Sequence, residues 1–532
     1  MGKNYQSILL AAISLAVGPL VQQSLAIQSS RSSSHRVIRE LRHDVSPPLR
    51  DMQPSMDQWS EADPEGSRGS SDATGAFGAT IAADTTTQLA AQTTGLNASA
   101  LVGTVPGLNF NGISATGAFP TPDANGAVGA TQYVQYVNAQ FAVYSKATGT
   151  LLLGPVSGNS LFSGFGGPCQ TNNSGDPIVL YDQAAMRWVF SRHATPSGGP
   201  YFQCIAVSTS SDATGTYNRY AFALPGQFPD YPKLGVWSDG YYFTADLLDQ
   251  NNKFVLTGVL TCAFDRSAMI ANLPAKAVCF QLDSTFHSLL PADLDGSNPP
   301  PVGVPNILLS LGTNALAMWK FHVDFTTTSN SRITGPVLLA VNSFTPACGG
   351  KVCVQQLGTS QQLDSLADRL MYRLAYRRVL TSPSHGSLLV THTVGSPPAI
   401  RWYEIWNPGG TPTIHQQGTY RPDGLARWMA SMAMDKVGNI AVGYSVSGST
   451  IFPSIRFTGR LATDPLGTLE GEQVIINGNA AQEGSNRWGD YTAIAVDPVD
   501  DCTFWYTNEY ENVSGSFNWK TRIASFKFPS CK

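Results

Sequence analysis

The sequence predicts an all-β protein, a single β-propeller, on three observations. Charged side chains make up 13% of the 532 residues, about half the usual share, while 50 glycines, 34 prolines and 10% aromatic residues suit short strands broken by turns. Beyond about residue 106, short apolar runs are bounded by Gly, Pro, Asn and Asp, and long helical periodicity is absent. The third observation is self-similarity. A run of alternating apolar residues, an Asp at a turn and a second run rich in Trp, Tyr and Phe recurs at Pro177 to Ser191, Lys233 to Thr244, Ser431 to Tyr444 and Ala493 to Thr507.

Weaker copies at Tyr133 to Lys146, Asn306 to His322 and Leu370 to Tyr403 bring the count to seven units, starting near Asp123, Asp176, Asp230, Asp293, Asp364, Arg427 and Arg487. Intervals of about 53 to 71 residues suffice for a four-stranded sheet with its loops. The expected propeller therefore has seven four-stranded blades; six or eight also fit the spacing, because units four and five are the least regular. Radial closure leaves only short, protected edges. Gly107 to Phe119 reads as an extended segment able to supply a closing strand to the last sheet.

In chain order, Lys3 precedes an apolar run from Ile8 to Val21, and Ser24-Leu25-Ala26 offers small residues where a signal peptidase reads. Residues 1–26 are thus expected to be a signal peptide, and the mature protein secreted to the extracellular space or the periplasm. Residues 27–105 show little hydrophobic periodicity and read as a disordered leader or linker, with one or two helical turns in Arg36 to Arg42. Residues 106–532 form the propeller domain. No later segment has the apolar length of a membrane span. With 33 basic and 37 acidic residues, the net charge of -4 provides no cationic excess for nucleic acid. A monomer is expected. Asn97, Asn172 and Asn512 stand in Asn-x-Ser sequons.

Eight cysteines in an exported chain read as disulfides. Pairing neighbours closes the shortest loops: Cys169 with Cys204, Cys262 with Cys279, Cys348 with Cys353, and Cys502 with Cys531. Neither their spacing nor the scattered His193, His287, His322, His385, His392 and His415 suits a zinc site. No cofactor or metal is expected, although Asp293-Leu-Asp295-Gly296 has the flavour of a calcium turn without the later Glu of an EF-hand. A nucleophile elbow, a His-Glu-x-x-His helix and a phosphate loop do not occur.

Two motifs carry a resemblance. Arg487-Trp-Gly-Asp-Tyr491, followed by Asp497-Pro-Val-Asp-Asp-Cys-Thr-Phe-Trp-Tyr506 and a terminal Ser-Phe-Lys-Phe-Pro-Ser-Cys531, resembles the last unit of secreted bacterial β-propeller proteins of sialidase and Asp-box-like type. That likeness spans nearly the whole region after residue 106, and it implies a propeller without specifying its chemistry. Asp212-Ala-Thr-Gly215, Asp435-Lys-Val-Gly438 and Asp464-Pro-Leu-Gly467 are similar to Asp boxes but one residue longer between Asp and Gly, and suit type I turns. No Arg-Ile-Pro tripeptide occurs, so the resemblance carries over no sialidase arginine triad.

Residues entering each innermost strand of a propeller ring the mouth of its channel. That places Asp176; Asp230 with Tyr231 and Lys233; Asp364 with Asp368 and Arg369; Arg427 with Trp428; and Arg487, Trp488, Asp490 and Tyr491 around one axis. Carboxylates accept from sugar hydroxyls, arginines fork onto uronate or sulfate, and rings stack on a pyranose. An extracellular glycan or polysaccharide is the expected partner. As a glycoside hydrolase the chain would draw its acid and base from Asp230, Asp364 and Asp490, the last flanked by Arg487 and Tyr491. As a polysaccharide lyase, Tyr231 or Tyr491 would abstract the proton while Arg427 or Arg487 neutralises a uronate. Arg369, Lys233 and Trp488 complete the candidate substrate contacts, and Arg369, Arg373 and Arg377 share one strand face as an anion rail. The alternative is a non-catalytic binding or scaffold propeller, in which these same groups are consumed in pairs between blades.

Overall fold

A computed structural model describes residues 35–53, 87–88 and 101–532. The expected signal segment and most of the expected leader lie outside the described residues.

The protein is an all-β propeller. Its strands form four-stranded antiparallel meanders, two of which join through a parallel pairing into one larger sheet. Their innermost strands are β1 (Asn125–Val128), β2 (Ile178–Asp182), β3 (Phe228–Val236), β4 (Leu290–Asp295), β5 (Met371–Val379), β6 (Ala426–Met434) and β7 (Ala493–Val496). Each packs beside the next in chain order, β4 pairs with β5 in parallel, and β7 returns to lie against β1. Radial closure follows from where the apolar side chains go.

Each meander buries both faces, so its strands are apolar nearly throughout, and the cores lie between sheets. Phe141 and Val134 of the β1 meander pack on Trp188 and Phe190 of the β2 meander. Ala433 and Ile455 of the β6 meander meet Ile494 and Phe504 of the β7 meander. Tyr133 and Ala142 meet Trp505 and Ile523 across the junction of last with first, with the Tyr133 and Trp505 rings stacked at 5.2 Å. The expected closing strand is found here: Val105–Ser114 pairs antiparallel with Lys520–Lys527 as the outer strand of the β7 meander.

The stretch expected as a leader is partly built into the fold. Arg36 to Arg42, expected as one or two helical turns, instead belongs to two strands, Arg36–Arg39 and Arg42–Val45, on the outer edges of the β3 and β2 meanders. The physical reason is that an edge strand needs only its backbone paired, so charged side chains facing water do not disqualify it. Arg219 fixes the second strand through a bidentate pair with Asp44 at 2.8 Å. Residues 87–88 add in parallel to the outer strand of the β5 meander, and Val102 N donates to Gly471 O at the rim of the next.

The four neighbour pairings of cysteine are the disulfides of the structure. Cys262 and Cys279 face each other across adjacent strands, and Cys502–Cys531 pins the C-terminus. The Asp-box-like segments are turns: Asp435 accepts from the amides of Val437 and Asn439, and Gly438 (φ 93°) donates back to its carbonyl. Among the described residues, no helix is long and apolar enough to cross a membrane.

Candidate functional site

Residues in left-handed backbone conformation recur where the chain enters the innermost strands. Asp123 (φ 47°) and Asp176 (φ 47°) precede β1 and β2, Ser288 (φ 50°) precedes β4, and Asp490 (φ 60°) precedes β7. Tyr231 (φ 50°) and Met429 (φ 51°) take the same conformation at register shifts inside β3 and β6. β5 instead carries its shift between Met371 and Ala375. Such geometry is strained for residues with a Cβ, least so for Asp and most for Tyr and Met. Glu509, fully buried, supports the last of these turns by accepting from Gly489 N at 2.6 Å.

Polar side chains from distant stretches meet at this end of the ring of inner strands, which the expected channel mouth would occupy. The Tyr491 ring stands edge-on to Tyr231 (6.0 Å between centroids) and tilted against Tyr372 (5.6 Å), so tyrosines from the β3, β5 and β7 meanders converge. The Tyr491 hydroxyl faces Pro177 O at 3.4 Å, at the entry to β2. Lys233 is fully buried with Nζ 3.3 Å from the Tyr231 centroid and 4.1 Å from that of Tyr491, while the Arg369 guanidinium lies 4.5 Å from the Tyr231 centroid. Three cation–π contacts in a desolvated place strengthen one another's fixation of the rings.

Beside the tyrosines sits a trio of carboxyl groups. Burial pushes the Asp123 carboxyl well above the usual carboxylate range, and the neighbouring Asp490 and Asp176 push it further; Arg487 and a 2.8 Å hydrogen bond from Thr121 pull the other way. Asp490 is ion-paired with Arg487. Burial and the surrounding acids Asp123 and Asp176 raise the Tyr491 hydroxyl well above its ordinary value, so it stays protonated. His193, buried near Asp176 and Lys233, is shifted down by burial and is neutral at pH 7.

The predicted residues divide into two groups. Asp490, Tyr491, Arg487, Tyr231, Lys233 and Arg369 come together at the mouth. Asp364 lies on a covering loop, where its carboxylate accepts from Leu366 N at 3.0 Å and is raised by burial, with Arg369 pulling it down. Asp230 sits opposite Asp246 across two strands, and Asp246 in turn accepts from Ser288 N and Oγ.

Arg427 is consumed within the fold: it is fully buried and forked onto both Asp423 and Glu472. Trp488 is equally committed, its ring 5.9 Å from Trp428 and its Nε1 donating to Ser445 Oγ at 3.0 Å. A large indole beside other apolar groups gains most from burial with its N–H satisfied. The anion rail is consumed as well. Arg373 holds Asp293 (2.7 Å), Asp295 and Ile494 O, and Arg377 holds Asp501 (2.6 Å) and Met434 O. Asp293 and Asp295 therefore serve a guanidinium, not a calcium turn. Among the described residues, no group of three or more His, Cys, Asp or Glu could hold a metal ion.

Asp123 and His193 are the site residues that sequence reasoning passed over. A usable signal exists for Asp123, since it precedes its inner strand by two residues, as Asp176 does.

No protein-family model matches the chain, and no curated protein matches it. Among solved structures it is similar to the haemagglutinin-neuraminidase of parainfluenza virus 5, at 10% identity and a TM-score of 0.38 over 70% of this chain and 95% of that one. A GH43 β-1,3-galactosidase is similar at 12% identity and a TM-score of 0.29, over 81% of this chain and 95% of that one. The catalytic domain of the GH62 α-L-arabinofuranosidase of Coprinopsis cinerea is similar at 11% identity and a TM-score of 0.29, over 56% of this chain and 91% of that one.

Proposed function

We propose that this is an exported seven-bladed propeller that binds a glycan at the entry mouth of its channel and hydrolyses it with a carboxyl pair. One observation carries the reading: of two acids that share a site, Asp123 is raised by burial and by its acid neighbours while Asp490 is ion-paired with Arg487. Asp123, buried and crowded by Asp490 and Asp176, is suited to hold a proton and deliver it as general acid. Asp490, held as a carboxylate in its ion pair with Arg487, is the base or nucleophile. Tyr231 and Tyr491, clamped by Lys233 and Arg369, form the aromatic wall, and the four disulfides suit an oxidising compartment outside the cytosol.

A lyase is disfavoured. Of its two candidate abstractors, Tyr231 and Tyr491, the Tyr491 hydroxyl is driven toward the protonated form, and of its two candidate uronate anchors Arg427 is saturated by two carboxylates and Arg487 is ion-paired with Asp490. The second reading is a non-catalytic scaffold, favoured by the pairing of Arg373, Arg377 and Arg427 within the fold.

The test is a screen of the mature protein for cleavage of neutral and uronic-acid polysaccharides, alongside Asp123→Asn and Asp490→Asn. Asn tolerates the left-handed backbone at both positions, so folding is preserved. Each substitution is expected to lower kcat by about 10²-fold or more. Cleavage untouched by both substitutions removes this site, and absence of turnover and retention on every glycan leaves the scaffold.

A further inference from the structure

A second recess adjoins the mouth. It is an open cleft whose walls come from two loops, one contributing Ser360, Gln361 and Gln362 and the other Glu483, Gly484 and Asn486. The walls are stitched together beneath the surface. Gln356 Nε2 donates to Gln361 O (3.0 Å) and Gln482 O (2.9 Å), and its Oε1 accepts from Gln482 N (2.9 Å). Asp364 N donates to Asn486 O at 2.7 Å, and the Gln482 amide reaches Arg487 O. Both stitching glutamines are buried, so breaking the network would strand amide groups away from water. The cleft is therefore held in shape, and one wall runs directly into the turn that carries Arg487 and Asp490.

We infer that this cleft is a subsite for a neutral oligosaccharide continuing outward from the mouth. The inference rests on the glycan reading above and narrows its substrate class. Side-chain amides offer a donor and an acceptor a short distance apart, which is what vicinal hydroxyls require, and the Ser360 hydroxyl does both. The charge on the lining is the Glu483 carboxylate, and the lining residues include no Lys or Arg. A uronate or sulfate laid there would meet a like charge with nothing to fork onto it. A neutral chain loses nothing by that contact and can donate to Glu483.

Calorimetry on the Asp123→Asn protein with cellohexaose, xylohexaose, mannohexaose and hexagalacturonate tests this. At least one neutral hexaose should bind, and hexagalacturonate should bind about tenfold more weakly or not at all. Gln362→Ala and Asn486→Ala should each weaken the neutral ligand by about threefold to tenfold with Tm unchanged. Glu483→Gln should narrow the gap to hexagalacturonate. Hexagalacturonate binding more tightly than every neutral hexaose, neutral binding indifferent to both alanine variants, or no binding by any hexaose overturns the cleft. The two readings fail separately. Neutral binding lost in Gln362→Ala by a protein that cleaves no glycan removes the catalytic pair and keeps the subsite, whereas cleavage with an unaltered KM for hexaose in both alanine variants does the reverse.

Discussion

The two ends of the ring of inner strands treat charge in opposite ways. Where those strands finish, acids meet cations: Asp293 and Asp295 share Arg373, Asp501 takes Arg377, and Asp182 takes Arg266 at 2.6 Å, while Asp435 is held by the amides of its own turn. Where the strands begin, acids face acids. Asp123 has Asp490 and Asp176 as neighbours, offset by Arg487 and by the Thr121 hydroxyl. A protein selected for stability alone would treat both ends like the first, because buried like charges raise its free energy. The contrast teaches that the finishing end is fastening and the entry end is kept electrostatically unsettled, as groups that must exchange protons are.

Three substitutions can break or sharpen that contrast. The largest effect belongs to the fastened end: Arg373→Met strands Asp293 and Asp295 in the interior and should cost about 3–5 kcal/mol in thermal unfolding. A shift below 1 kcal/mol would mean those pairs hold nothing together.

Next is Glu511, fully buried behind the mouth, whose carboxyl is raised by burial from 4.5 to about 8. Between those two pH values the folded protein holds a proton that the unfolded chain has released. Stability should therefore fall as pH rises from 4.5 toward 8. Glu511→Gln should flatten that decline, raising Tm at pH 8 and leaving it nearly unchanged at pH 4. Equal effects at both pH values would refute the assignment.

The smallest shift is expected from Asp123→Asn in the absence of ligand. Its raised folded pKa also makes the wild type lose stability as pH climbs above the unfolded carboxylate value, so the variant should match the wild type near pH 3 and have the higher Tm at pH 7. A Tm that falls at pH 7 would make Asp123 a fastening group like those at the far end.

The repeat was readable because inner strands buried on both faces keep an apolar run up to a turn acid, as in Ile178 to Asp182. Convergence of Tyr231, Lys233, Arg487, Asp490 and Tyr491 was readable for the same reason, since their position relative to those runs fixed them near the axis. What sequence could not convey is direction and partnership. Arg427 enters its strand as a mouth residue would, yet strand alternation turns it toward Glu472, forty-five residues on, and Asp423 closes over it. Asp123 lies among Thr, Pro and Ala with no flanking arginine to mark it, and its importance arises only from acids brought up by other meanders. Arg36 to Val45 hid its strands because rim pairing imposes no apolar pattern.

The course of the N-terminal segment has a consequence for how the molecule is made. Arg36–Arg39 and Arg42–Val45 supply rim strands for the β3 and β2 meanders, which appear well over a hundred residues later, and Val105–Ser114 waits about four hundred residues for Lys520–Lys527. Vectorial synthesis must carry these early segments unplaced while bare sheet rims emerge, a situation that favours aggregation. The junction of last meander with first stays open until Lys520–Lys527 pairs with Val105–Ser114.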